Sequence, residues 1–286
     1  MSVEKQKEIR YSRQIMAFQN IIRKYKMDQP MQRLLVLGCG NGLEAGYMSR
    51  LLGVKVFGVD IGQEFHPFGW MHANLRNYDG EHLPFPDDYF DAIYSYHVLE
   101  HVKDVPHMIS EIRRVLQPNG FVYIGVPNKS RLFGYMGMND KSLYRKISQN
   151  IKDWHKRLRG EWDNALGAHA GFDEQELMML LSEHFSQTIP VSADYYKSKW
   201  RKYERVLKLL STWSVDKLLM PSVYMLAFNN SAEIDPKPAD KACGLQVYDF
   251  AKTNAGATVE KAGKQVMPAE AGIHNSFKNR LPPPRE

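Results

Sequence analysis

Three groups of residues in this 286-residue chain have types and spacings that could do chemistry. The first is Val36-Leu37-Gly38-Cys39-Gly40-Asn41-Gly42, a G-x-G-x-G run between a short apolar segment and a helical one. Glycines there let backbone amides approach a ligand without a Cβ in the way, and the following helix start adds the positive end of a dipole. Nicotinamide, flavin and adenosyl cofactors all use such a loop, so the glycines alone do not choose among them. A pyrophosphate-binding loop carries its third glycine one position later, where this chain has Leu43. The second group is one residue, Asp60, 18 positions after Gly42 at the end of the next apolar segment. A carboxylate there can accept both hydroxyls of a ribose; otherwise it is a solvated strand end. The third is His97-Val98-Leu99-Glu100-His101. On a helical turn its two imidazoles and its carboxylate would share one face, a donor set that can hold a divalent cation. At a strand end, His97 is instead the nearest candidate for a general base, or a histidine that only packs. No metal site is expected.

These groups need elements to hold them. Leu34-Leu35-Val36-Leu37 suits a strand buried on both faces, and a helix from Leu43 should stop at Gly53. Val54–Val59 reads as a second strand ending at Asp60, Phe90–Tyr96 as another, and Phe121–Val126 as the next. Ile109, Ile112, Val115 and Leu116 form one helical stripe, and Pro118-Asn119-Gly120 marks a turn. Alternation of this kind predicts a parallel sheet with helices on both faces. Residues 62–79 show no period, although a helix and an edge strand must fit there. Residues 4–26 read as an amphipathic helix, packed on the domain or lying over a ligand as a lid.

Two further blocks follow in order: Asp79-Gly80-Glu81-His82-Leu83-Pro84-Phe85-Pro86-Asp87-Asp88, and Glu111-Ile112-Arg113-Arg114-Val115-Leu116 before the turn. Together with the glycine loop and Asp60, they make the chain resemble class I S-adenosylmethionine-dependent methyltransferases, nearest to the broad subgroup acting on small molecules, lipids and sugars. The resemblance is strong over residues 31–128 and looser over 129–229. It implies an α/β fold: a Rossmann-like, doubly wound, mainly parallel seven-stranded sheet with helical insertions after the fifth strand and before the last. It implies S-adenosylmethionine as cofactor, with Gly38, Gly40 and Gly42 under its methionine part. Asp60 would hold the ribose hydroxyls and Ile61 would lie against the adenine face. Asp79 would accept from the adenine amino group, with the Gly80 amide close to the ring. Tyr96 and His97 would border the methionyl group and the substrate, with His97 as the catalytic candidate. The family usually carries Asp or Glu two residues before the first glycine, where it helps to place the methionine ammonium. This chain has Val36 there. The implied activity is methyl transfer to an oxygen or nitrogen of a small metabolite, sugar or lipid. An RNA-modifying enzyme and a noncatalytic cofactor-binding scaffold are the alternatives, and a nicotinamide dehydrogenase is disfavoured by the glycine spacing.

The expected organisation is an N-terminal helix (1–30), a methyltransferase domain (31–229) with insertions at about 129–170 and 196–219, and a disordered tail (230–286) that lacks apolar periodicity. In the first insertion Leu143, Ile147, Ile151, Trp154 and Leu158 form a helical stripe, expected to bury on the domain and roof the pocket. The other face, with Arg157 and Arg159, is expected to look toward substrate or solvent. Asp173 and Glu176 have capping-box spacing. A net charge of +6 permits an anionic substrate without demanding one. No RNA-binding module is visible, so nucleic acid ranks below a small-molecule substrate. Two cysteines, Cys39 and Cys243, exclude a disulfide framework and favour a reducing compartment. With no apolar run long enough to span a bilayer and no apolar signal core near the N-terminus, a cytoplasmic location is expected and a peripheral membrane contact stays open. The oligomeric state is not legible.

Overall fold

The computed structural model describes residues 3–25, 31–135, 142–165, 168–199 and 216–229. The expected tail and residues 200–215 of the second insertion lie outside the described residues. In chain order the elements are α1 (Val3–Lys24), β1 (Arg33–Leu37), α2 (Leu43–Leu52), β2 (Lys55–Asp60), α3 (Pro67–His72), β3 (Asn74–Asn77), β4 (Phe90–Tyr96), a 3₁₀ turn (Leu99–His101), α4 (Val105–Val115), β5 (Leu116–Pro127), α5 (Leu143–Leu158), α6 (Glu174–Ser182), β6 (Gln187–Pro190), α7 (Ser192–Lys199), a helical turn (Asp216–Leu219) and β7 (Ser222–Phe228).

The seven strands form one sheet in the order β3-β2-β1-β4-β5-β7-β6. β1 pairs in parallel with β2 and β4, and β7 runs antiparallel to β5 and β6. Alternate side chains of the central strands feed two cores. Leu34, Val36, Tyr94 and Tyr123 pack under α1 and α2, while Leu35, Leu37, Ile93 and Val122 pack on α4 and α6. Burial on both faces explains why β1 and β4 read as continuous apolar runs. It also places the carboxyl ends of β1, β2 and β4 on one edge of the sheet, where parallel α/β folds hold ligands.

α1 is packed on the sheet. Ile15, Phe18 and Ile21 are buried, and the Phe18 ring lies 5.3 Å from that of Tyr94 and 5.2 Å from that of Tyr123. Its end is pinned by an ion pair from Lys24 to Asp194, 2.7 Å. The segment without a period contains α3 and β3, both too short to show one. Pro67 opens α3, and His66 caps it by accepting the Phe68 N–H through Nδ1 at 3.1 Å. Pro118-Asn119-Gly120, expected as a turn, lies inside β5, because an irregular register opposite Phe90 and Ala92 absorbs the residues that cannot pair.

The Leu83–Pro86 and Glu111–Arg114 blocks meet. Glu111 accepts the Leu83 N–H (2.9 Å) and the Arg114 Nε–H (2.7 Å). Arg114 also donates to the carbonyls of Phe85 and Leu83 and to Asp87. This clamp ties the loop before β4 to α4.

α5 corrects an expectation. Its apolar stripe is exposed, and its polar face is the one that docks. The reason lies in the strap at 129–135, whose polar groups only a polar helix face can satisfy. Asn150 accepts from the Gly134 N–H and donates to the Gly134 carbonyl, Asp153 takes the Tyr135 hydroxyl, and Arg157 donates to the carbonyls of Lys129 and Arg131. Arg157 is therefore engaged by this chain's own backbone, contrary to a substrate-facing role.

Arg114 and the Leu83 amide hold the Glu111 carboxyl below its ordinary value of 4.5. The stability this supplies is present above that value and is lost as pH falls through the lower folded one. Glu111→Gln should cost about 2 kcal/mol at neutral pH, and in urea titrations at successive pH values the gap between mutant and parent should close below the Glu111 titration. A gap unchanged down to acid would refute the clamp.

Candidate active site

The loop after β1 has positive φ at Gly38 (67°), Gly40 (55°) and Gly42 (80°). The three do different work. A Cβ at Gly38 would fall on the side chain of Val98, and one at Gly42 on Leu75, whereas at Gly40 it would meet open space. Gly38 and Gly42 therefore close the loop against the protein, and Gly40 faces outward. Asp60 fixes the loop, accepting the Gly40 N–H through Oδ2 at 2.6 Å and the Ile61 N–H through Oδ1 at 2.8 Å. Such a charge-assisted bond is among the stronger ones, and the carboxylate keeps lone pairs for further donors. Between the glycines, burial and then the Asp60 charge push the Cys39 thiol up to about 12, so it stays protonated and unreactive.

Beside Asp60 lies a shelf. Ile61 is 59% exposed, and a Cβ on Gly80 (φ 88°) would stand 2.8 Å from its Cδ1. Only a glycine lets the backbone lie this close to the exposed isoleucine. Asp79 Oδ1 accepts from the amides of Glu81 (2.8 Å) and His82 (2.7 Å), which hold its carboxyl below the usual range and shape the turn. The Tyr78 N–H donates to the Asp60 carbonyl at 3.1 Å, which carries this turn to the glycine loop.

The third wall is the end of β4. Tyr96 and His97 rings stand edge-on at 4.3 Å. His97 has a left-handed φ of 57° and is held there by its N–H, which donates to the Gly125 carbonyl at 2.7 Å. A non-glycine residue in that region is strained and needs surroundings that enforce it. Its ring is held on both sides: Nδ1 is 3.1 Å from Glu100 Oε1, and Nε2 is 3.3 Å from the Ser222 hydroxyl. Glu100 is 5% exposed and faces Nδ1, so a ring with its proton on Nδ1 presents Nε2 as the acceptor. The next residue, Val98, packs on Gly38, so the histidine and the glycine loop share a wall.

The structure thus brings Gly38, Gly40, Gly42 and Asp60 into one loop, Ile61 and Gly80 into one shelf, and Tyr96 and His97 into one corner, all at the same sheet edge. In the His97–His101 segment, Glu100 lies between the imidazoles, and the His101 ring lies 4.7 Å from that of His169. His169 lines a cavity of about 920 Å³ with His101, Lys129 and Glu176. Sequence reasoning missed three residues. Ser222 lies 125 positions from His97 and carries no local signal. Glu44 accepts the Tyr94 hydroxyl at 3.1 Å beneath the glycine loop. Tyr224 stacks between Tyr123 (5.8 Å) and Tyr195 (3.8 Å), forming an aromatic floor.

The glycines can be separated by experiment. Gly40→Ala should fold with a loss of about 1–2 kcal/mol, the cost of a left-handed alanine. Gly38→Ala adds a collision with the stiff Val98 side chain and should cost visibly more. Equal losses in urea unfolding would show that Val98 does not set the constraint.

Residues 35–124 match a family model described as a methyltransferase domain. Similar proteins include the ubiquinone biosynthesis O-methyltransferase of Pelagibacter ubique, 28% identical over 155 residues, covering 49% of this chain and 63% of that protein. That of Cereibacter sphaeroides is 29% identical over 149 residues, covering 49% and 60%. The chain thus spans less than two thirds of these relatives' length. Among solved structures, a plantazolicin methyltransferase in complex with a monoazolic desmethylPZN analog and S-adenosylhomocysteine superposes with a TM-score of 0.53 at 14% identity, over 77% of this chain and 84% of that one, a likeness of fold. The strand order, the glycine loop and the strand-end carboxylate already described agree with these matches, which liken residues 35–124 to a methyltransferase domain.

Proposed function

We propose that this chain transfers the methyl group of S-adenosylmethionine to a small metabolite, sugar or lipid, and that the accepting atom is an oxygen. The observation that carries the choice of oxygen is the fixed ring of His97. An amine attacks with its own lone pair, whereas a hydroxyl gains from a base that takes its proton. His97 offers Nε2 for this while Glu100 holds Nδ1–H, and Ser222 occupies Nε2 until a substrate hydroxyl replaces it. The ubiquinone biosynthesis relatives are O-methyltransferases, which agrees with this choice.

The residues present suit the cofactor. Gly40 leaves room over the loop, Asp60 has free lone pairs for the ribose hydroxyls, and Ile61 and Gly80 make a flat apolar shelf for adenine. When bound, the cofactor supplies a methyl group already activated by its sulfonium, with a neutral leaving group. What remains for the chain is to align the nucleophile, exclude water and hold one proton at His97 Nε2. Asp79 would meet the adenine amino group with its remaining lone pairs.

Val36 removes the carboxylate expected near the methionine ammonium, and we assign that role to Glu44. Val36 is buried and pairs in register with Tyr94, whose hydroxyl donates to Glu44. The Glu44 charge also acts on the Cys39 thiol, so the carboxylate stands beside the loop.

Thermal shift with S-adenosylhomocysteine tests the cofactor site, because a ligand that binds only the folded state stabilises it. Asp60→Ala should abolish most of the shift, and Glu44→Gln should reduce it by weakening affinity about tenfold. Equal shifts in mutant and parent would move the ribose or the ammonium elsewhere. With a turned-over acceptor, His97→Ala should lower kcat by about 10²–10⁴ with little change in cofactor affinity. Glu100→Gln should lower kcat and alter the pH profile; a loss confined to KM would reject both as the base and its positioning partner.

A further inference from the structure

α5 is amphipathic in the reverse of the usual sense for a docked helix. Its polar side, Asn150, Asp153 and Arg157, is bonded to the strap at 129–135, and its apolar side faces out. Leu143 is 73% exposed, Tyr144 80%, Ile147 52%, Ile151 54%, Trp154 40% and Leu158 82%. Phe133 extends the patch at 53% exposure; its neighbours Leu132 and Gly134 both bond to α5, Leu132 through its carbonyl to the Trp154 indole N–H at 3.2 Å. A contiguous apolar face of this size marks an interaction surface.

The charges beside it say what it fits. Turning around the helix from the apolar stripe, the next exposed arc carries Arg145, Lys152, His155 and Arg159. The one carboxylate of the helix, Asp153, is turned inward to Tyr135 and Arg131. The outward surface is therefore an apolar stripe with two aromatic residues, Tyr144 and Trp154, bordered by the cations Arg145, Lys152 and Arg159 and by no anion on the helix itself. Two copies meeting across this face would bring their basic arcs together, which opposes self-association. The 16 residues extend about 24 Å, a straight stripe suited to a flat surface. No described helix is long and apolar enough to cross a membrane.

We propose that α5 is an interfacial helix that seats this protein on an anionic phospholipid surface. The apolar stripe enters the boundary between headgroups and acyl chains, and the basic arc meets the headgroups. The inference stands on α5 alone and does not depend on methyl transfer.

Sedimentation of the full chain with vesicles tests it, using pure phosphatidylcholine and phosphatidylcholine with about 30% phosphatidylglycerol. The parent should bind the anionic vesicles at least about tenfold more tightly than the neutral ones, and less tightly as salt rises. Ile147→Glu with Ile151→Glu should lose binding to both at least about tenfold, and Arg145→Glu with Lys152→Glu should erase the preference for anionic lipid. Both variants should keep the parent's melting temperature and sedimentation coefficient. Absence of vesicle binding by the parent would overturn the proposal. So would a lowered melting temperature in the isoleucine variant, which would mean the stripe is covered by this chain, or a dimer that this variant splits into monomers, which would mean a second copy covers it.

Discussion

The site depends on one contact, the Asp60 carboxylate on the Gly40 amide at 2.6 Å. Three left-handed glycines at alternate positions give a loop with little intrinsic preference for one shape. A charged acceptor from the neighbouring strand removes that freedom, and the Val98 and Leu75 side chains close it from the other sides. Burial, with the same carboxylate charge added to it, raises the Cys39 thiol and so keeps a nucleophile in the loop silent. Because β1, β2 and β4 are adjacent and parallel, loop, carboxylate and His97 arrive at one sheet edge without further machinery.

Order at the other end of the site comes from burial rather than from glycine. His97 is strained at φ 57°, and the strain is sustained by Glu100, Ser222 and the Gly125 carbonyl together. Glu100 is a buried carboxylate whose Oε1 faces His97 Nδ1 and whose Oε2 has no hydrogen-bond partner among the described residues. Beneath this corner, stacked tyrosines floor the sheet.

The strands were legible because both of their faces are buried: β4 falls on the residues expected from its apolar run, and α2 ends at a left-handed Gly53. The expected capping box at Asp173 and Glu176 is present for the same local reason. α3 and β3 were not legible, since six and four residues are too few to display a period. The 83–86 and 111–114 blocks could be recognised from sequence as marks of a family, but only coordinates show that one bonds to the other. For α5 the periodicity was right and the direction wrong. An amphipathic pattern states that two faces differ, and the polar groups of the 129–135 strap decided which one docks. Ser222 was invisible because β7 comes back beside β5 from far along the chain.

The central claim is that Asp60 and His97 serve one cofactor from opposite sides. A crystal structure of the complex with S-adenosylhomocysteine tests it most directly. The account predicts both ribose hydroxyls on Asp60 and the sulfur within about 7 Å of His97 Nε2, room for a methyl group, an attacking oxygen and one hydrogen bond. A ribose held elsewhere, or a sulfur more than about 10 Å from Nε2, would contradict it.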